Sequence, residues 1–165
     1  MSPGLKTAVA KAIATTAGSG YSPIAPGTCG SAVAAVLIYF LAPLSWWAFG
    51  LVGAVVTLVG IWAAAESDRA WGTHDSGRIV IDEVAGMFVT LMLVPRGDLI
   101  VLVLGFFLFR FFDIFKPWPV RAIDRHVGGG TGVVLDDVAA GVYAAAVLGL
   151  LVTLEIPAVL RSYLP

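Results

Sequence analysis

Five long apolar runs make up most of this chain, and its charged residues are confined to a few clusters near the ends of those runs. The runs cover residues 28–43, 46–65, 79–94, 99–115 and 134–154. A helix needs roughly 20 residues to cross the hydrocarbon core of a bilayer, so the second and fifth runs are long enough and the others are short. The pattern predicts an all-α, polytopic membrane helical bundle.

The composition supports a membrane protein. The chain is 59% hydrophobic and only 13% charged, against roughly 25% charged residues in soluble domains. Residues 1–165 contain no linker or low-complexity tract and are expected to form a single membrane-embedded domain. The net charge of −1 gives no indication of nucleic acid binding. Residues 1–20 do not resemble a cleavable signal peptide, and no protein partner is implied.

Two proline-containing turns divide the runs. The turn at 43–45 separates the first two runs, and the turn at 95–98 separates the third from the fourth. The expected arrangement is two helical hairpins and a last helix, giving five passes of which some are short or partial. Residues 5–17 place apolar side chains on one helix face, which fits an N-terminal interfacial helix, although a solvated helix fits as well.

Basic residues predict the orientation in the membrane. With a cytoplasmic N-terminus and cytoplasmic loops at 66–78 and 116–133, Arg96 and Arg161 are the only basic residues of the opposite side. The cytoplasmic side then holds Lys6, Lys11, Arg69, Arg78, Lys116, Arg121 and Arg125. A bias of seven against two favours this orientation, and it places all the charge clusters on the cytoplasmic face.

The charge clusters predict a metal and phosphate site. Carboxylates at the edge of hydrocarbon cost several kcal/mol each unless a partner compensates them. A hard cation such as Mg²⁺ with a phosphate substrate would provide that compensation. The candidate ligands and catalytic acids are Asp82, Glu83, Asp113, Asp136 and Asp137. The alternative is that the adjacent acids serve as helix caps and partners of the helix dipole.

The two acid pairs occur in similar local sequences. Each is expected at the start of a helix, and Gly86 and Gly141 follow about one turn later, where a small residue allows helices to approach closely. The pairs would then face each other across the bundle. Asp124, beyond these clusters, is expected to lie in a loop and to matter little.

A third cluster repeats every three residues, so Arg110, Asp113 and Lys116 are expected to share one helix face. They could form a self-neutralising ladder of ion pairs. In a catalytic site, Asp113 would be a ligand while Arg110 and Lys116 bind phosphate oxygens.

The segment 18–31 is rich in glycine, proline and hydroxyl groups and precedes a helix start. Its free N–H groups and hydroxyls suit phosphate binding, although it could also be an ordinary loop. It is not a Walker A loop, because no lysine follows the glycines. The candidate phosphate ligands are Ser22, Gly27, Thr28 and Ser31.

Four sequence blocks together resemble the phosphatidylglycerophosphatase A family. They are SPIAPGT at 22–28, IDE at 81–83, RFFDIFKPWP at 110–119 and LDD at 135–137. The blocks follow the family's order and spacing, and the similarity runs from about residue 14 to residue 150.

The resemblance implies an all-helical, Mg²⁺-dependent phosphatase of the bacterial inner membrane. Such an enzyme converts phosphatidylglycerophosphate to phosphatidylglycerol and inorganic phosphate. By position, the metal site would fall on the five acids named above, with Arg110 and Lys116 beside it.

Other phosphatase designs do not fit the residues. Cys29 lacks the arginine that a cysteine-phosphatase loop requires, because position 35 is alanine, and the chain has no Asp-x-Asp pair. Metal-assisted hydrolysis remains, with Asp113 and Glu83 both open as general base. Two alternative classes are a small cation transporter and a phosphatidyl-transferring membrane enzyme. The first should carry acids near the middle of the bilayer, and the second should carry an Asp-Gly-x-x-Ala-Arg block that is missing here.

Overall fold

The computed structural model describes residues 2–163, which form eight α-helices and one short 3-10 turn at Ser19–Tyr21 and contain no β-strand. The helices are α1 (Pro3–Ala14), α2 (Pro26–Phe40), α3 (Trp46–Trp71), α4 (Ile81–Thr90), α5 (Leu99–Phe115), α6 (Val120–His126), α7 (Gly129–Thr153) and α8 (Ile156–Ser162). The all-helical prediction is confirmed. Residue 1 and residues 164–165 of the predicted single domain lie outside the described residues.

Two of the helices within residues 2–163 are long and apolar enough to cross a membrane. They are α3, with 26 residues, and α7, with 25. At a rise of 1.5 Å per residue both exceed the roughly 30 Å thickness of the hydrocarbon core. These helices are compatible with a membrane protein.

Helix α4 lies at the centre of the bundle. It has ten residues and a length of about 15 Å, half of the hydrocarbon thickness. Eight of its ten residues are buried, and α2, α3, α5 and α7 all pack against it. Some of the five expected passes were expected to be short or partial, and the run over residues 79–94 forms such a short helix, buried among the others. The run is apolar because its side chains meet other helices.

The two proline turns, at 43–45 and 95–98, contact each other at the end of the molecule opposite the charge clusters. We call this end the far end. The Arg96 guanidinium donates to the Leu44 carbonyl and lies 4.2 Å from the centre of the Phe49 ring. Arg161 pairs with Asp98 at the same end. Arg96 is only 8% exposed. It was expected as a charged residue of a loop, but it is buried and connects the two turns.

The expected loop at 116–133 is mostly helical, since it contains α6 and the start of α7. Gly130 explains why a glycine-rich sequence is helical here. A Cβ atom at Gly130 would lie 2.6 Å from the backbone nitrogen of Ala65, so α7 packs directly on α3. Close packing outweighs the weak helix propensity of glycine. As a result, the pair Asp136 and Asp137 lies inside α7, and the expectation that it starts a helix is wrong.

Candidate functional site

Asp82 and Glu83 lie in the first turn of α4, as expected, where the helix dipole favours acidic residues. The backbone N–H of Glu83 donates to Asp82 Oδ1 at 3.0 Å. The residue before the helix, Val80, is fixed by two contacts with the end of α1. Its N–H donates to the Ala14 carbonyl at 2.8 Å, and its carbonyl accepts from the Thr16 hydroxyl at 3.3 Å. The start of α4 is therefore held in place from outside the helix.

Asp68 anchors the segment that leads into α4, a role that was not predicted from the sequence. Its carboxylate is buried and accepts from the hydroxyl of Thr73 at 2.9 Å. It also accepts from the backbone N–H groups of Asp75 at 2.7 Å and Ser76 at 3.1 Å. An acid four residues before a Gly-Thr turn is a weak signal for such an anchor, and nothing else in the sequence points to it.

The second acid pair is buried between helices, since Asp136 and Asp137 are each 4% exposed. Gly86 and Gly141 bring α7 close to α4, as expected. A Cβ atom at Gly141 would lie 2.5 Å from the Gly86 carbonyl oxygen. One turn before these glycines, the two acid pairs therefore meet across the helix contact.

Three of the five expected acids converge on one point. Asp82, Glu83 and Asp137 each present a carboxylate oxygen, and these three atoms lie within 4.8 Å of one another. We call these three residues the acid cluster. Within residues 2–163, three buried carboxylate oxygens of the site have no hydrogen-bond partner. They are Glu83 Oε2, Asp136 Oδ1 and Asp137 Oδ2.

Arg110 and Asp113 lie beside the acid cluster on α5. The Arg110 guanidinium contacts Asp113 Oδ2 at 2.7 Å and Glu83 Oε1 at 3.5 Å. Its Nε atom is buried and has no partner in the described part of the chain. Arg110 is therefore held at the edge of the cluster by two carboxylates that contact its Nη1 atom.

Lys116 is not part of a ladder on α5. The helix ends one residue earlier, and Lys116 adopts a left-handed backbone conformation that turns the chain away. Its ammonium group pairs with Asp136 and, at 2.6 Å, with Asp124. The expected shared face for Arg110, Asp113 and Lys116 is thus wrong for Lys116, because helical spacing applies only while the helix continues.

Asp124 belongs to the site, contrary to expectation, because α6 folds back and places it against Lys116. The hydrogen bond from Lys116 lowers the pKa of Asp124. Burial lowers the pKa of Lys116, but its hydrogen bonds to Asp124 and Asp136 outweigh burial and raise the pKa above its usual range. Lys116 therefore stays charged and joins α6 to α7.

Helix α2 brings one of the four expected phosphate-binding residues to the cluster. A Cβ atom at Gly27 would collide with the Glu83 carboxylate and lie 3.1 Å from Arg110 Nη1. The hydroxyls of Ser22 and Ser31 instead donate to carbonyls of their own segment, those of Ile24 and Gly27. Thr28 is half-buried in the first turn of α2. The backbone at Gly27, rather than the serine hydroxyls, faces the site.

The donor set fits a hard divalent cation. Opposite oxygen ligands of Mg²⁺ are about 4 Å apart, close to the 4.8 Å spread of the acid cluster. The five acids outnumber the two basic groups beside them, Arg110 and Lys116. Buried carboxylate oxygens without hydrogen bonds are costly unless a cation compensates them. A cation held by Asp82, Glu83 and Asp137 would supply that compensation.

The fold and site define an all-helical protein with a buried carboxylate cluster flanked by an arginine and a helix N-terminus. The sequence profile of the family Phosphatidylglycerophosphatase A matches residues 12–152. The chain belongs to this family, as its sequence blocks indicated, and is therefore an enzyme of the phosphatase class.

Relatives named as lipid phosphatases are similar to this chain over most of its length. Phosphatidylglycerophosphatase A of Escherichia coli is 43% identical over 131 residues, covering 79% of this chain and 76% of the relative. The Haemophilus influenzae protein of the same name is 38% identical, with 79% and 81% covered. A putative phosphatidylinositol-3-phosphatase of Bacteroides thetaiotaomicron is 42% identical, with 80% and 86% covered. No solved structure matches the chain.

Proposed function

We propose that this protein is a Mg²⁺-dependent lipid phosphatase that hydrolyses phosphatidylglycerophosphate to phosphatidylglycerol and inorganic phosphate in phospholipid biosynthesis. The observation that carries the proposal is the convergence of Asp82, Glu83 and Asp137 beside Arg110 in a chain of this family. A phosphate monoester needs both a cation and a positive donor, and this site offers places for both.

The chain's own residues have separable roles in this proposal. Arg110 would bind the phosphate oxygens with its guanidinium, while Asp113 fixes its orientation. The N-terminus of α2 at Gly27 would contribute backbone N–H groups and the positive end of its dipole. The charge of Lys116 is shared by two carboxylates, so its main effect would be to hold Asp136 in position.

The acids would hold the cation. Asp82, Glu83 and Asp137 would be direct ligands, and Asp113 and Asp136 would support them from either side. Bound Mg²⁺ would polarise the phosphoryl group and activate water for attack on phosphorus. Attack by the water oxygen would break the P–O bond to the glycerol, a proton from that water would pass to the glycerol oxygen, and inorganic phosphate would leave.

We propose a multi-pass position in the bacterial inner membrane for the single domain, with the site facing the cytoplasm. The basic residues support it, since Arg161 and the buried Arg96 lie at the far end and the other eight, Arg110 among them, belong to the site end. Exposed Trp46 and Trp47 at the far end and Trp118 at the site end fit the two interfaces. Helix α1 packs on α3 and exposes Leu5 and Val9, which suits an interfacial helix.

A second substrate deserves a test because the Bacteroides thetaiotaomicron relative is named for a phosphoinositide. Both candidate substrates are lipids with a phosphate monoester, so the same acids and Arg110 would serve either. The transporter and phosphatidyl-transferase alternatives are not favoured, since the family is one of phosphatases.

The test is phosphate release by purified protein in detergent. We expect release from phosphatidylglycerophosphate, its loss with EDTA and its recovery with added Mg²⁺. Phosphatidylinositol 3-phosphate serves as the comparison substrate. Faster phosphate release from the phosphoinositide would make that lipid the proposed substrate. No phosphate release from either lipid would contradict the proposal.

A further inference from the structure

An apolar groove runs between α2 and α5 on the outer surface of the bundle. Its volume is about 280 Å³. Its lining residues are Ala32, Ala35, Leu102, Val103, Phe106 and Phe107. Phe107 is 64% exposed, so one wall of the groove opens to the surroundings of the protein. We call this the α2–α5 groove.

On each of its two helices, the groove lies on the same face as a residue that borders the acid cluster. These residues are Gly27 on α2 and Arg110 on α5. On α5, Phe106 precedes Arg110 by one helical turn, so the two share a face about 6 Å apart along the axis. On α2, Gly27, Ser31 and Ala35 share a face in the same way. The helices that hold Gly27 and Arg110 at the site thus also form the walls of the groove.

Small side chains keep the groove open. Ala32 and Ala35 form the α2 wall, while the α5 wall is built of larger apolar residues. A larger residue at Ala32 or Ala35 would fill the space between the helices. Because every lining side chain is apolar, the groove offers no partner to a polar group and suits a hydrocarbon chain.

We propose that the α2–α5 groove binds an acyl chain of the lipid substrate while its phosphate monoester lies at the acid cluster. This inference rests on the proposed lipid phosphatase function. A lipid with its phosphate at Arg110 must direct its chains toward the apolar part of the bundle. The groove begins one turn away in that direction. The groove would therefore fix the position of the headgroup by holding the chain behind it.

The kinetic test compares two lipids with the same headgroup. One is dioleoyl phosphatidylglycerophosphate in mixed micelles, and the other is the soluble dibutanoyl form, whose chains are too short to fill the groove. In Ala32→Phe, we expect kcat/KM for the dioleoyl lipid to fall about fivefold, since a blocked chain loses packing contacts. The dibutanoyl value should stay near that of the wild type, and this shows that the variant is folded.

The matched control is Ala146→Phe, the same change at an exposed position of α7 outside the groove. It should leave both substrates unaffected. Equal losses for both lipids in Ala32→Phe, or no loss for either, would overturn the groove assignment. A change in oligomeric state caused by Ala32→Phe alone would also overturn it, because the groove would then bind a second copy.

A second measurement does not depend on turnover. A dioleoyl analogue with a photoreactive group in mid-chain should label the peptide that contains Phe106 and Phe107, and Ala32→Phe should abolish this labelling. Label spread over the outer surfaces of α3 and α7 would contradict the proposal. Failure of the proposed function would be seen separately, as absence of phosphate release from both lipids by the wild type.

Discussion

Gly86 lies directly against the backbone of Asp137. A Cβ atom added at Gly86 would lie 2.8 Å from the Asp137 carbonyl oxygen and 2.6 Å from Cζ of Phe109. Helices α4 and α7 therefore cross here at the distance that only glycine permits. This contact brings Asp82 and Glu83, one turn earlier on α4, against Asp137.

Gly86→Ala should destabilise the protein and reduce activity. The added methyl group has no space, and overpacking of this kind lowers the free energy of unfolding by about 2 kcal/mol. Thermal unfolding in detergent measures the effect. The matched control is Gly149→Ala on α7, where a Cβ atom meets nothing within 4 Å. That variant should be as stable as the wild type or slightly more so. Equal behaviour of the two variants would contradict the close packing.

Asp124→Asn should lower kcat by about threefold, the scale of one partly exposed ion pair. In this variant Lys116 would keep its ion pair with Asp136 but lose its ion pair with Asp124. Lys116→Met should cost more than about tenfold, because it leaves Asp136 buried without a cation. Glu155→Gln, an exposed acid at the far end, is the control and should not change phosphate release. Wild-type activity in Asp124→Asn and Lys116→Met would remove both residues from the site.

Cysteine labelling in intact cells tests the proposed orientation. In a Cys29→Ser background, Gly77→Cys lies at the site end in open space, and Gly97→Cys lies in the far turn. An impermeant reagent added outside should label position 97 and leave position 77 unlabelled until the membrane is opened. Labelling of position 77 but not of position 97 would indicate the opposite orientation. Equal labelling of the two positions would show that no membrane separates the two ends.

Cys29→Ser itself should retain most phosphatase activity. The thiol lies 3.3 Å from Ser22 Oγ in the segment before the site, and a serine hydroxyl can keep that contact. Metal-assisted hydrolysis gives the thiol no chemical role. Loss of activity with unchanged thermal stability would instead indicate a nucleophilic cysteine.

The sequence predicted the parts of this structure that depend on local pattern. Apolar runs bounded by proline turns gave the order of the main helices. The spacing of acid and glycine correctly indicated the contact at Gly86. Asp82 and Glu83 were placed correctly because a helix start depends on neighbouring residues.

The rest depends on contacts between distant segments. Gly130 is helical only because α3 lies against it, so the position of Asp136 inside α7 could not be read locally. Helix α5 ends at Phe115, one residue before Lys116, so helical spacing does not place Lys116 on the face of Arg110 and Asp113. Asp124 then meets Lys116 through the fold of α6, and a short polar stretch with little apolar periodicity gave no sign of that helix.

The central claim is that Asp82, Glu83 and Asp137 hold a divalent cation, and the most direct test is metal binding by Asp137→Asn. Removing the charge while keeping the size weakens Mg²⁺ binding, because the ion prefers anionic oxygen ligands. We predict that kcat falls by about two orders of magnitude, the scale of losing one well-placed electrostatic contact. We also predict that half-saturation requires clearly more Mg²⁺, while thermal stability is retained. Asp82→Asn should behave alike, and Glu155→Gln should match the wild type. An unchanged Mg²⁺ requirement in Asp137→Asn and Asp82→Asn would contradict the metal site.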